Sequence, residues 1–259
     1  MKIISLGAGV QSSTLFLMSC YGELDKADAA IFADTQDEPR SVYKYLDWLE
    51  SEGAKHGIPI YRVTAGSLSQ DTVDVIEGRR NRAGMIPVFV ESDRGGGMTM
   101  RQCTGDYKIT PLRRKARQLM QDAGESTIEM WIGISTDEIQ RMKDSNVKYI
   151  THRWPLIEMR MDRNDCKQWF NRNGGKEPPR SACVYCPFHS NQEWARLKAE
   201  EPEEFKRAIE FDQKIRNHPK LRGRAFLHPS MKPIDEVDFL DQSQLGFSFV
   251  GECEGMCGI

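Results

Sequence analysis

The residues best suited to chemistry in this chain are its cysteines, seven in all, at positions 20, 103, 166, 183, 186, 253 and 257. Cys183 and Cys186 sit in "SACVYCPF", where the two-residue gap lets one turn bring both sulfurs to the same side of a metal centre. The same spacing serves zinc sites, redox pairs and iron-sulfur sites, and does not choose among them. Cys253 and Cys257 close the sequence in "GECEGMCGI". An odd number of thiols in this pattern points to metal or redox chemistry rather than to a disulfide framework. Cys20 and Cys166 read as packing residues, because free cysteine behaves as a small apolar side chain.

A second kind of chemistry is written into "ISLGAGVQSSTLFLM", residues 3 to 17. Ser5, Gly7, Gly9, Gln11, Ser12 and Ser13 form a flexible, hydroxyl-rich turn between two apolar runs. Where such a turn opens a helix, the first backbone N–H groups lack internal partners and carry partial positive charge, which suits a phosphate. Two common phosphate loops do not match. G-x-x-x-x-G-K-S/T needs a lysine that is absent, and G-x-G-x-x-G needs a third glycine where Ser12 stands.

These residues need a scaffold, and the hydrophobic pattern supplies one. Residues 2 to 6 read as a buried strand and residues 11 to 21 as a helix. "AAIFAD" is a second strand ending in Asp34, and Pro39 starts an amphipathic helix with Val42, Leu46 and Leu49 on one face. "IPIYRVTAG" is a third strand, followed by a polar segment through Arg79, Arg80 and Arg82. The Gly-rich stretch "ESDRGGGMTM" reads as a loop, with a helix beginning near Pro111 and a fourth strand in "TIEMWIGIS". Strands alternating with helices predict a Rossmann-like parallel sheet flanked by helices. In such α/β sheets ligands sit outside the carboxyl ends of the strands, where the first turn lies. From about residue 150 the chain changes to short elements, a cysteine-bearing loop and two charged helices. The expected organisation is an α/β domain over 1–150 and a cysteine-containing region over 151–259 that packs on the same site.

Charged residues make up 29% and hydrophobic ones 39% of the 259, and no apolar run reaches the length that spans a bilayer, which predicts a soluble protein with no membrane partner. Gly7, Gly9, Gln11 and two serines interrupt the N-terminal apolar stretch, so the expected location is cytoplasmic. A net charge of −2 argues against a wholly basic nucleic-acid binder while leaving room for a local basic face. Trp131, Trp154, Trp169 and Trp194 lack the pattern of an RNA-binding module and read as core or pocket walls. His152, His189 and His228 have no metal-like spacing, although His189 follows Cys186 closely enough to adjoin its site.

Four segments, in order, resemble one family. "SLGAGVQSS" is similar to the modified phosphate loop of the adenine nucleotide alpha-hydrolase superfamily (the PP-loop ATP pyrophosphatases), typically S-G-G-x-D-S-S/T, in the form found in phosphoadenosine phosphosulfate (PAPS) reductase-like proteins. Gln11 stands where the ATP pyrophosphatases usually carry Asp. "FADTQDEP" resembles their D-T-G-x-x-F-P-E segment, "RQCTGDYKITPLRR" their cysteine-lysine-proline-leucine segment, and "GISTDEIQR" their G-x-R-x-x-E/D-S-x-x-R. The resemblance covers most of residues 1 to 200 and implies a HUP-type sheet and an adenine nucleotide, ATP or PAPS, held by the loop residues with Asp34, Arg101, Lys108, Asp137, Glu138 and Arg141. Asp34 would take a ribose hydroxyl, or Mg2+ if ATP is used. Arg113 and Arg114 fall beside Cys103 in sequence and read either as anion ligands or as a solvated helix face.

The resemblance also implies a 4Fe-4S cluster on Cys103, Cys183 and Cys186, with Cys253 as a possible fourth ligand; zinc ranks second and uncoordinated thiols third. Cys257 or Cys253 would be the nucleophile of a sulfonucleotide reductase, regenerated by a thioredoxin-like reductant. The alternative is an ATP-dependent sulfurtransferase that adenylates a nucleic acid or small molecule. A third reading is a non-catalytic accessory protein that binds nucleotide and cluster.

Overall fold

The computed structural model describes residues 1–93 and 95–240. Short apolar runs form the strands of the main sheet: β1 (Lys2–Leu6), β2 (Ala29–Asp34), β3 (Ile60–Thr64), β6 (Ile128–Ile132) and β7 (Ile150–Arg153). All neighbours are parallel, in the order β3-β2-β1-β6-β7. The chain winds outward from β1 to β3, then crosses to β6 on the other side of β1. The strand order therefore reverses between β1 and β6, and the crevice at their carboxyl ends is where a doubly wound sheet accepts ligands.

Side chains alternate across each strand, so the two faces bury different sets. Ile4, Leu6, Phe32 and Trp131 pack under α1 (Val10–Tyr21), α2 (Arg40–His56) and the later helix α6 (Arg163–Asn173). Ile3, Ile31, Met130 and Ile132 pack under α4 (Thr110–Asp122), whose Leu112, Ala116 and Met120 recur every fourth residue. Nearly all of α1 is buried, its polar Gln11, Ser12, Ser13 and Thr14 included, because α2 and α6 flank it. Trp131, Trp169 and Trp194 are core residues as expected, and Trp154 is half-buried.

A second core lies beyond the sheet edge. It joins α3 (Leu68–Ile76), α7 (Asn191–Glu200) and α8 (Pro202–Ile215) through Leu68, Tyr107, Tyr185, Trp194, Phe205 and Phe211. Against it lies a small antiparallel sheet of β5 (Gly95–Met98), β4 (Phe89–Ser92) and β8 (Arg224–Phe226). The structure adds to the sequence reading a fifth parallel strand, β7, and the small sheet, and two segments that read as irregular are ordered. The polar stretch after β3 contains α3, capped by the Ser67 hydroxyl accepting from Gln70 N. The Gly-rich stretch forms β5 rather than a loop, because pairing with β4 supplies the order that its side chains cannot. The α4 helix begins where expected but grows directly out of a π-helical turn, Thr104–Ile109. A short α5 (Pro155–Glu158) links β7 to α6. No described helix is long and apolar enough to cross a membrane.

Candidate functional site

The first loop is shaped by its own hydrogen bonds. Ser12 Oγ accepts from Gly7 N at 3.1 Å and donates to Gly9 O at 3.4 Å, while Ser181 Oγ donates to Gly7 O from the far end of the chain. Gly9 caps α1 without a side-chain acceptor, so the helix's first N–H groups receive no side-chain cap. Ala8 is held at φ 56°, a left-handed conformation unusual for a residue with a Cβ and typical of ligand-binding turns. Ser5 lies on β1, and Ser13 is buried against Tyr45 of α2. The Ser12 and Ser181 hydroxyls thus wire the turn together, and the backbone is what it offers an anion.

Across the switch point the loop meets the segment after β6. Gly133 lies so close that a Cβ there would stand 2.8 Å from both Ser12 Cα and Ser12 N. Gln11 spans the same gap, its Nε2 donating to Ser135 Oγ (3.2 Å) and Glu138 Oε2 (3.3 Å) while its Oε1 accepts from Arg163 Nη1 (3.3 Å). Arg141 in turn pairs with Glu138 at 2.7 Å, and Asp137 Oδ1 accepts from Arg163 N at the start of α6. The predicted Gln11, Asp137, Glu138 and Arg141 are therefore one connected network, to which Ser135, Arg163 and Gly133 are additions. The close approach of Gly133 has no signature in sequence, and Arg163 lies too far along the chain to be grouped with the loop by proximity.

The β2 loop forms the next wall. Asp34 Oδ1 accepts from Gln36 N (2.7 Å) and Tyr43 Oη (2.8 Å), so this oxygen shapes the turn that puts Gln36 at φ 63°. Thr35 Oγ1 lies 3.2 Å from Cys183 Sγ, and Val184 N donates to Asp37 O at 2.8 Å. Segment 181–184 therefore touches the first loop through Ser181 and the β2 loop through Cys183 and Val184.

Cys103, Cys183 and Cys186 line one pocket with Arg101, Lys108 and Thr35. Lys108 Nζ lies 3.3 Å from Glu38 Oε1, and both side chains are buried. Desolvation works against the ammonium, yet Glu38, Cys183 and Cys103 outweigh it and raise its pKa. Desolvation, then Glu38, pushes the Cys183 thiol well up, and desolvation pushes Cys186 up to about 11. Burial thus disfavours the thiolate forms of Cys183 and Cys186, while Lys108 at both and Arg101 at Cys186 pull the other way. His189 is buried, its Nε2 3.0 Å from Cys183 O, and desolvation with Arg180 lowers it to about 3. Among the described residues no three His, Cys, Asp or Glu side chains gather closely enough to hold a single metal ion.

A larger cleft of about 720 Å³ opens beside Gly9 and Val10 at the start of α1. Arg40, Lys44, Arg163, Lys167, Arg180 and Arg196 reach it from four separate segments, interspersed with Glu177, Glu193, Glu200 and Glu201. This basic wall was not visible in sequence, since its members come from α2, α6, the loop after it and α7. Arg113 and Arg114, by contrast, do not line the cysteine pocket; they flank a different cleft on α4. Cys20 and Cys166 are buried in the core, and desolvation raises both to about 12. Cys253 and Cys257 lie outside the described residues. No family model and no curated protein matches this chain.

Proposed function

We propose that this protein is a PAPS reductase-like enzyme of the HUP-type fold that binds an adenine nucleotide at the Gly7–Ser13 turn and acts on it beside an iron-sulfur centre. The observation that carries this reading is segment 181–184: Ser181 is bonded to the phosphate loop while Cys183, two residues on, faces the cysteine pocket. Nucleotide phosphate and cysteine chemistry thereby share one edge of the sheet.

The backbone N–H groups at the start of α1 hold the phosphate, and Gln11 with Arg163 keeps the turn in register with the β6 loop. Three thiols around one pocket would supply three of the four ligands of a 4Fe-4S cluster, whose ligands stand farther apart than those of a single ion. Cys103, Cys183 and Cys186 would hold it, with Cys253 or an external group as the fourth ligand. When bound, the cluster supplies redox-active iron, or an open iron acting as a Lewis acid. Lys108 and Arg101 on the pocket wall offset the negative charge that thiolates bring.

In the reductase reaction the thiolate of Cys257 or Cys253 attacks the sulfur of the sulfonucleotide. The sulfur–oxygen bond to the nucleotide phosphate breaks, leaving a thiosulfonate on cysteine and a free adenosine phosphate. A thioredoxin-like dithiol then releases sulfite and is itself oxidised to a disulfide. Gln11 favours this reading, because its amide is already engaged by Ser135, Glu138 and Arg163 and carries no charge for Mg2+. The basic cleft beside α1 favours a second reading, ATP-dependent adenylation and thiolation, since it offers room for a second anionic substrate.

Incubating anaerobically reconstituted protein with ATP, PAPS and adenosine phosphosulfate tests the choice. Sulfite release in the presence of a dithiol is the expected result. Pyrophosphate with AMP would select adenylation, and binding without turnover would leave an accessory role.

A further inference from the structure

The α4 helix carries a run of cations that the candidate site does not use. Arg113, Arg117 and Gln121 recur every fourth residue, and Arg114 and Gln118 run alongside them. Leu112, Ala116 and Met120 fix the opposite side of the helix in the core, so this stripe cannot rotate inward. Arg113, Arg114, Arg117, Gln118, Gln121 and Tyr149 together line a cleft of about 660 Å³.

The contacts these cations make are to neutral groups. Arg113 Nη2 donates to Asn146 Oδ1 at 3.2 Å, and the Arg117 guanidinium lies 6.0 Å from the centre of the Tyr149 ring. Lys115, on the neighbouring face, donates to Gln118 Oε1 and lies over Tyr61. Among the described residues none of the four cations on α4 has a carboxylate partner. The arginines of α7 and α8, and Arg216 at the end of α8, behave differently. On α7 Arg196 is bonded to Glu193, Glu200 and Glu201, and on α8 Arg207 pairs with Glu204 and Arg216 with Asp212. Like charges four residues apart destabilise a helix, so α4 retains a pattern that its own fold does not favour. The net charge of −2 shows that the run is not a consequence of a basic protein overall.

We infer that this cleft is a docking groove for the phosphate backbone of a nucleic acid. Guanidinium forks match phosphate oxygens bidentately, and Arg113 and Arg117 stand roughly 6 Å apart along the helix, a spacing that suits successive phosphates rather than a single one. The cation-backed Tyr149 offers an aromatic surface of the kind on which bases stack. The lining is concave and carries no aliphatic side chain to enter a bilayer, which separates it from a lipid-binding face. This inference stands independently of nucleotide chemistry at the loop.

Fluorescence anisotropy of the full chain with labelled single-stranded RNA and DNA oligonucleotides, over a salt series, tests it. Arg114 and Arg117 are exposed, so R114Q/R117Q is expected to keep the wild-type circular dichroism spectrum. It should bind at least tenfold more weakly, and its log–log salt slope should fall by about 1.4, because each single-strand phosphate contact contributes about 0.7. R114K/R117K should retain most of the slope, which separates lost charge from lost fold. Oligonucleotide binding that is absent in wild type, or unchanged in R114Q/R117Q, would overturn the inference. So would equally tight binding of polyglutamate or of anionic phosphatidylserine vesicles.

Discussion

The turn after β1 and the cysteine pocket share an edge of the sheet but are assembled differently. Gly7, Gly9 and Ser12 set the loop's shape among themselves within six residues, and distant groups only brace it. The pocket has no local core: Thr35, Lys108 and Cys183 reach it from three remote segments, and the Lys108–Glu38 pair is buried between them. A locally built turn survives loosening of the rest of the molecule. A pocket built from afar depends on every contact that brings its walls together.

That contrast can be broken most forcefully at Lys108. Lys108→Met leaves Glu38 buried without its counter-charge, and breaking a buried pair in this way destabilises by about 3–5 kcal/mol. Urea unfolding should show the full loss, while nucleotide affinity per folded molecule, measured by equilibrium dialysis below the transition, changes less than threefold. An equal loss of nucleotide affinity would mean that the turn is not assembled independently of the pocket.

Gly133→Ala probes the other side. Its Cβ would press on the backbone of Ser12, an overpacking worth about 1–3 kcal/mol. Nucleotide affinity should fall at least tenfold, with the iron content of reconstituted protein unchanged. Unaltered affinity would show that the approach of the β6 loop does not brace the turn.

The smallest effect is expected from pH. His228 is buried in the second core, its Nε2 2.9 Å from Asn191 Oδ1 and its ring against Phe239, which stacks on Trp194. Desolvation lowers its pKa from the usual 6.5 to about 4. Between those values the unfolded chain binds the proton and the folded one does not. The stability contribution is thus present above about pH 6.5 and is lost as pH falls towards 4. Denaturant midpoints should drop from pH 7 to pH 5, and His228→Gln should flatten that slope.

Much of the sheet was legible because its strands are short apolar runs bounded by glycine or aspartate, and the turn after β1 was legible because its residues are consecutive. Gln11 could be singled out as unusual, but its partners Ser135, Glu138 and Arg163 belong to other loops and needed the fold to find them. The glycines of β5 have no side chains to alternate, and only pairing with β4 makes them a strand. Arg113 and Arg114 follow Cys103 closely in sequence, yet the helical turn that buries Leu112 and Ala116 carries them to another surface. Proximity in sequence set them beside Cys103, and the fold does not.

The central claim is that loop and cysteine pocket act as one site. Its most direct test is the iron content and visible spectrum of anaerobically reconstituted protein, titrated with adenosine phosphosulfate. The account predicts about four iron atoms per chain, lost in Cys183→Ser, and an iron-sulfur absorption that changes as the nucleotide saturates. A colourless protein that holds zinc and no iron, or an iron-sulfur spectrum unmoved by bound nucleotide, would contradict it.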